Sequence, residues 1–86
     1  MASFQAQILT PNGSLFEGEV TGVQMPGELG SFEVKANHAP IVSTLEKGDV
    51  VIRKADGEMN VTISKGFVEV ANNKLTLLAE SVVTEE

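Results

Sequence analysis

The sequence predicts an all-β domain, a flattened β-sandwich or barrel of about ten short antiparallel strands. Three observations carry that expectation. Apolar and polar residues alternate with a period of two in several short runs, as in a strand with one face buried. Clusters of Gly, Pro, Asn and Asp separate those runs at short intervals and mark reversals of the chain. No stretch carries an apolar stripe at i, i+3 and i+4, and eight glycines weigh against long helices. At 86 residues there is room for a single core.

The elements follow in order. Phe4-Gln5-Ala6-Gln7-Ile8 alternates without interruption and opens the sheet. Pro11-Asn12-Gly13 predicts a hairpin, because Asn-Gly suits a two-residue turn in which both positions need positive φ. Val20, Thr21, Val23 and Val34 supply β-branched residues to the next segments, and Pro26-Gly27 with Gly30 brackets a loop. Lys47-Gly48-Asp49 and Asp56-Gly57 mark further turns. Met59-Asn60-Val61-Thr62-Ile63-Ser64 repeats the alternation; Val68-Glu69-Val70 and Leu75-Thr76-Leu77 are shorter instances on either side of Asn72-Asn73. Val82-Val83-Thr84-Glu85-Glu86 loses the pattern and predicts a frayed end. The sandwich is therefore expected over residues 1–82, with a tail over 83–86.

Composition narrows the chemistry. There is no cysteine, hence no disulfide, thiolate metal site or cysteine nucleophile. Six Lys and Arg against twelve Asp and Glu leave a net charge of −6. That sign opposes nucleic acid and anionic lipid and suits a protein partner carrying basic groups. The start Met1-Ala2-Ser3-Phe4 lacks the basic and apolar regions of an export signal, and no apolar run is long enough to span a bilayer.

Catalytic and cofactor readings find little support. His38 is the only histidine, and it precedes Ala39-Pro40, which points to a braced loop rather than a general base. Glu17 and Glu19 share one strand face, with side chains roughly 7 Å apart, a spacing open to glycoside hydrolysis. With four Phe and neither Trp nor Tyr to stack a sugar, a solvated face is the better reading. An acidic β-rich lipoyl or biotinyl carrier domain is the alternative raised by Lys54-Ala55 near a turn. Its modified lysine belongs at a hairpin tip, where this sequence has Asp56-Gly57. No cofactor, metal site or catalytic residue is expected.

A series of motifs runs along the chain in order: Ile8-Leu9-Thr10-Pro11, Leu15-Phe16-Glu17-Gly18-Glu19-Val20, and Met25-Pro26-Gly27-Glu28-Leu29-Gly30-Ser31-Phe32. It continues through Asn37-His38-Ala39-Pro40 with Leu45 and Gly48, then Ile63-Ser64-Lys65-Gly66-Phe67-Val68-Glu69-Val70 and Leu78-Ala79-Glu80. In these motifs the chain resembles the N-terminal domain of the epsilon subunit of rotary proton-translocating (F-type) ATP synthases, from about residue 4 to residue 80. Lys65 departs from the pattern, which usually has glycine there.

The resemblance implies a flattened β-sandwich acting as a non-catalytic coupler in the central rotor. Its implied partners are the gamma subunit, the c-subunit ring and the rest of the catalytic head. Its implied place is the cytoplasmic face of the bacterial plasma membrane, held there through the complex. By position, Gly27, Glu28, Leu29, Gly30 and Ser31 match the loop toward the c-ring, and Thr10, His38 and Ser43 match positions facing gamma. Family members usually continue past Leu-Ala-Glu into a C-terminal helical hairpin linked to inhibition and ATP binding. The sequence stops about there, and neither property is implied for it.

Overall fold

The structure is a computed structural model and describes residues 2–83. Among these residues the regular elements are all strands: β1 (Phe4–Thr10), β2 (Gly13–Val20), β3 (Gly22–Gly27), β4 (Gly30–Lys35), β5 (Ile41–Leu45), β6 (Gly48–Lys54), β7 (Gly57–Ile63), β8 (Gly66–Ala71) and β9 (Lys74–Ala79). They form two layers. The first runs β2-β1-β9-β8-β5, and the second is built from β4, β3, β6 and β7. The layers are joined where β5 passes to β3: Leu45 pairs with Gly27, and the Glu46 N–H donates to the Pro26 carbonyl at 2.8 Å. This crossing has no spare space, since a Cβ on Gly48 would lie 2.7 Å from Pro26 Cβ.

Alternation decides what lies between the layers. Phe4, Ala6 and Ile8 of β1 point inward with Val68 and Val70 of β8 and Leu75, Leu77 and Ala79 of β9. Facing them are Val23 and Met25 of β3, Val34 of β4, and Val50, Ile52 and Ile63 of β6 and β7. All are buried, and no polar or charged residue among those described is buried with them. A core of this kind is held by apolar transfer and close packing, without a buried polar network.

Three differences from the sequence reading have physical causes. First, although the nine described strands agree with the expected number, one adjacent pair is parallel rather than antiparallel: β1 lies beside β9 from Gln5↔Lys74 to Leu9↔Leu78. The two strands are far apart in sequence, so no hairpin forces them antiparallel. Second, the double-αL turn is at Asn72 (φ 54°) and Asn73 (φ 61°), not at Asn12-Gly13. There the turn residues are Pro11 and Asn12, and Gly13 begins β2 with φ 125°. Proline fixes φ near −65°, which moves the positive φ one step along, onto the glycine. Third, Val82 and Val83 do not fray. Val82 bridges Ile63 and the Val83 N–H donates to the Thr62 carbonyl at 2.8 Å. Thr84, Glu85 and Glu86 lie outside the described residues.

Lys65, the departure from the family pattern, is accommodated without strain. Its Nζ lies 3.6 Å from Glu80 Oε2, and its carbonyl accepts from the Glu80 N–H at 2.9 Å. The demand for glycine falls on Gly66, where a Cβ would sit 2.5 Å from the Leu78 carbonyl oxygen.

Candidate functional site

The outer face of the first layer is where the molecule is least finished. Register places Thr44, Phe67, Leu78 and Leu9 side by side across β5, β8, β9 and β1. Phe67 is 39% exposed and Leu78 46%, while Val42, diagonal to Phe67, is 65% exposed. The next row, Val42, Glu69, Thr76, Gln7 and Glu17, is mostly polar. An apolar row on an outer face costs solubility and contributes nothing to the sandwich's own core, so it suits contact with another surface.

Beside this row stands the β3–β4 hairpin. Its strands pair through Gly27↔Gly30 and leave Glu28 and Leu29 at the tip; the Leu29 side chain is fully in solvent. The two glycines answer different constraints. Gly30 has φ 124°, whereas a Cβ on Gly27 would meet the Gly30 carbonyl oxygen and the Phe32 ring at 2.8 Å. An open concavity joins the hairpin to the sheet, lined by Gly27 to Phe32 together with Val42, Ser43, Thr44 and Phe67. A shallower hollow, lined by residues including Pro40, Val42 and Glu69, continues the surface along β5.

The residues that sequence reading assigned to partners are distributed over this surface unequally. Gly27, Glu28, Leu29, Gly30 and Ser31 form the hairpin tip and its flanks. Ser43 lines the same concavity, half-buried on the inward row of β5, with its Oγ donating to the Thr44 carbonyl at 3.1 Å. Thr10 closes the β1–β2 turn: its Oγ1 donates to the Gly13 carbonyl (3.1 Å) and accepts from the Asn12 N–H (3.2 Å). His38 is exposed in the β4–β5 connection, at the opposite end of the layer from Thr10. Its Nδ1 lies 2.7 Å from the Ala39 carbonyl oxygen. A carbonyl only accepts, so Nδ1 carries the proton and Nε2 is left for solvent or a partner. The three residues thus do not converge on one point; they mark one end, the middle and the other end of the first layer.

Sequence reading missed the apolar row itself. Phe67 and Leu78 are ordinary members of alternating runs, and their exposure follows only from knowing that both sheets bury the other parity.

The second layer's outer face is different. The Arg53 guanidinium donates from Nη1 to Glu58 (3.2 Å) and from Nη2 to Gln24 (3.1 Å). Its Nε lies 3.2 Å from Glu33 Oε2, off the hydrogen-bonding line, so that contact is electrostatic. Asp49 accepts from Thr62 at 2.6 Å. The Arg53 and Thr62 bonds thus pair much of this surface within itself, while Glu33 Oε2 is buried without a hydrogen-bond donor and is met only by the Arg53 charge.

Glu17 and Glu19 are exposed on β2, and Glu19 accepts from Ser3 Oγ at 2.7 Å. Lys54 lies within β6 with Nζ 5.9 Å from the Phe16 ring centroid, and the adjoining tip is Ala55-Asp56, so no lysine occupies a hairpin tip there. No group of three His, Cys, Asp or Glu among the described residues could hold a metal ion, and these residues form no helix long and apolar enough to cross a membrane.

Fold and surface together define a small β-sandwich module with one self-paired outer face and one unfinished one. The chain belongs to the family of the ATP synthase delta/epsilon chain β-sandwich domain, whose sequence profile matches residues 3–85. It is 42% identical to the ATP synthase epsilon chain of Sulfurovum sp. over 84 residues, covering 96% of this chain and 66% of that one. It is 41% identical to the epsilon chain of Caulobacter vibrioides over 83 residues, covering 96% of each. The first relatives are longer: the chain spans 54% of the Dichelobacter nodosus epsilon chain and 65% of that of Sulfurimonas denitrificans. Among solved structures, a chain of the Euglena gracilis mitochondrial ATP synthase OSCP/F1/c-ring assembly superposes with a TM-score of 0.89 at 19% identity. That match covers 96% of this chain and 54% of the other, and at such identity it bears on the fold.

Proposed function

We propose that this chain is a non-catalytic subunit of the central stalk of a rotary ATP synthase, joining the gamma subunit to the membrane c-ring. The observation that carries the reading is the pairing of family membership with an apolar row set beside an exposed hairpin tip on one layer. Torque passed between subunits needs a body that does not shear. A two-layer sandwich with a wholly apolar core answers that need better than helices on flexible linkers.

In this reading the Glu28-Leu29 tip meets the polar loops of the c-ring, where Glu28 accepts hydrogen bonds from basic or amide groups. The row of Leu9, Leu78 and Phe67, with Thr10, Ser43 and His38 around it, meets gamma. The complex then sits at a membrane, on its cytoplasmic side in a bacterium. Burying the exposed parts of Phe67, Leu78 and Val42 would contribute on the order of 1 kcal/mol each.

Two measurements test this. The purified chain, shown to be folded, should bind gamma in a one-to-one complex; a folded chain that fails to bind it removes the proposal. In vesicles reconstituted with the whole synthase, replacing Glu28-Leu29 by Gly-Gly should lower proton-driven ATP synthesis while gamma binding persists. Equal loss of both would assign the tip to gamma instead.

A further inference from the structure

Asn73 occupies an αL position in the β8–β9 turn (φ 61°), and its hydrogen bonds reach well beyond that turn. Its Oδ1 accepts from the Asn37 N–H at 2.7 Å, across 36 residues of sequence. Its Nδ2 donates to the Ser3 carbonyl at 3.2 Å, across 70 residues. Its own carbonyl accepts from the Gln5 N–H at 3.3 Å. One side-chain amide thus ties the turn to the N-terminal segment and to the β4–β5 connection, with donor and acceptor both used.

The tie falls on a conformationally distinct residue. Asn37 is itself αL, with φ 64°, a conformation open to asparagine but not locked by its own sterics, so the bond to its N–H selects it. The next residue, His38, gives its N–H to the Lys35 carbonyl at 3.2 Å, and Ala39 and Pro40 lead directly into β5. The conformation of Asn37 therefore sets the direction in which the His38 ring and Pro40 leave the sheet.

We infer that Asn73 is a positioning residue: through the Asn37 N–H it fixes the 37–40 loop, and with it one end of the partner-facing surface. The inference rests on the proposed reading of that surface as the face toward gamma. Asn73 acts through the loop: it limits the conformations the loop must give up on binding, the usual gain from preorganisation.

Two variants separate its side chain from its backbone. Asn73→Gly keeps the αL turn at no steric cost and keeps the carbonyl that accepts from Gln5, but removes both amide contacts. Asn73→Asp keeps an acceptor for the Asn37 N–H and loses only the donor to Ser3. One neutral hydrogen bond corresponds to about a tenfold effect. In the Gly variant the Asn37 amide should exchange about tenfold faster with solvent, with core amides such as Leu77 unchanged, and affinity for gamma should fall by more than about twofold and as much as about tenfold. The Asp variant should restore both.

Unchanged Asn37 exchange in the Gly variant would overturn the inference. So would faster exchange with gamma affinity within twofold of wild type. Should the Gly variant not fold, the Asp variant alone decides: loss of Asn37 protection while its acceptor remains would remove Asn73 as the anchor. A wild-type chain that does not bind gamma would instead remove the proposed function, and the exchange data would still decide whether Asn73 holds the loop.

Discussion

The two outer faces of this sandwich are built from the same alternating pattern and end in opposite states. On the second layer, Arg53 reaches Glu33, Gln24 and Glu58 on three other strands, and Asp49 accepts from Thr62. On the first layer, Phe67, Leu78 and Val42 stand in solvent beside Thr44 and Leu9. A largely self-paired polar face gains little by being covered, because a partner would have to replace most of the bonds already made. An apolar face gains by being covered. Within one small module, the contrast separates the side that faces water from the side suited to contact.

The contrast can be broken at its common support or sharpened at either face. The largest effect is expected from Leu77→Ala, which opens a cavity under both layers. It should cost about 3 kcal/mol in urea unfolding; a loss below about 1 kcal/mol would mean that the core relaxes around the gap. Gly66→Ala should cost about 2 kcal/mol, because its Cβ cannot clear the Leu78 carbonyl and β8 must shift from β9. Replacing both Phe67 and Leu78 by Ser should cost about 2 kcal/mol in unfolding, since each is partly covered by its own neighbours, and should weaken gamma binding by the folded protein by about 2 kcal/mol. Titration calorimetry beside melts checks this; unchanged affinity of the folded variant would mark the row as packing rather than contact.

On the other face, Arg53→Met should cost about 1 kcal/mol, since the pairs it makes are partly exposed. The deficit should shrink in about 0.5 M salt as the wild-type pairs are screened, and gamma binding should be unaltered. Salt-independent loss would point to packing of the guanidinium stem instead.

Much of the fold was legible because strand burial is a local matter of parity. The runs at Phe4–Ile8, Met59–Ile63 and Leu75–Leu77 all emerged as strands, and the Gly27–Gly30 bracket emerged as a hairpin. What the pattern could not give was long-range partnership. Nothing local in Phe4–Thr10 says that its neighbour is β9, or that the pairing is parallel. The Arg53 cluster likewise needs four strands in register before its members meet. At the site, the hairpin tip was legible from its glycines and its family position. Ser43 lies on the inward parity of β5, and nothing local distinguishes it from its outward neighbours Val42 and Thr44 until the two layers assemble. Asn73 looked like half of a turn, and its ties to Ser3 and Asn37 come from segments 70 and 36 residues away.

The placement of β9 between β1 and β8 also has a consequence for biosynthesis. The first strand to leave the ribosome has only the β2 hairpin to pair with until the last strand arrives. Leu9 and Phe67 are brought into one row only by the Leu78 of β9 between them. Such non-local closure is slow compared with hairpin formation. A nascent chain arrested before β9 would therefore lack the assembled row, and with it the apolar surface that sets the two outer faces apart.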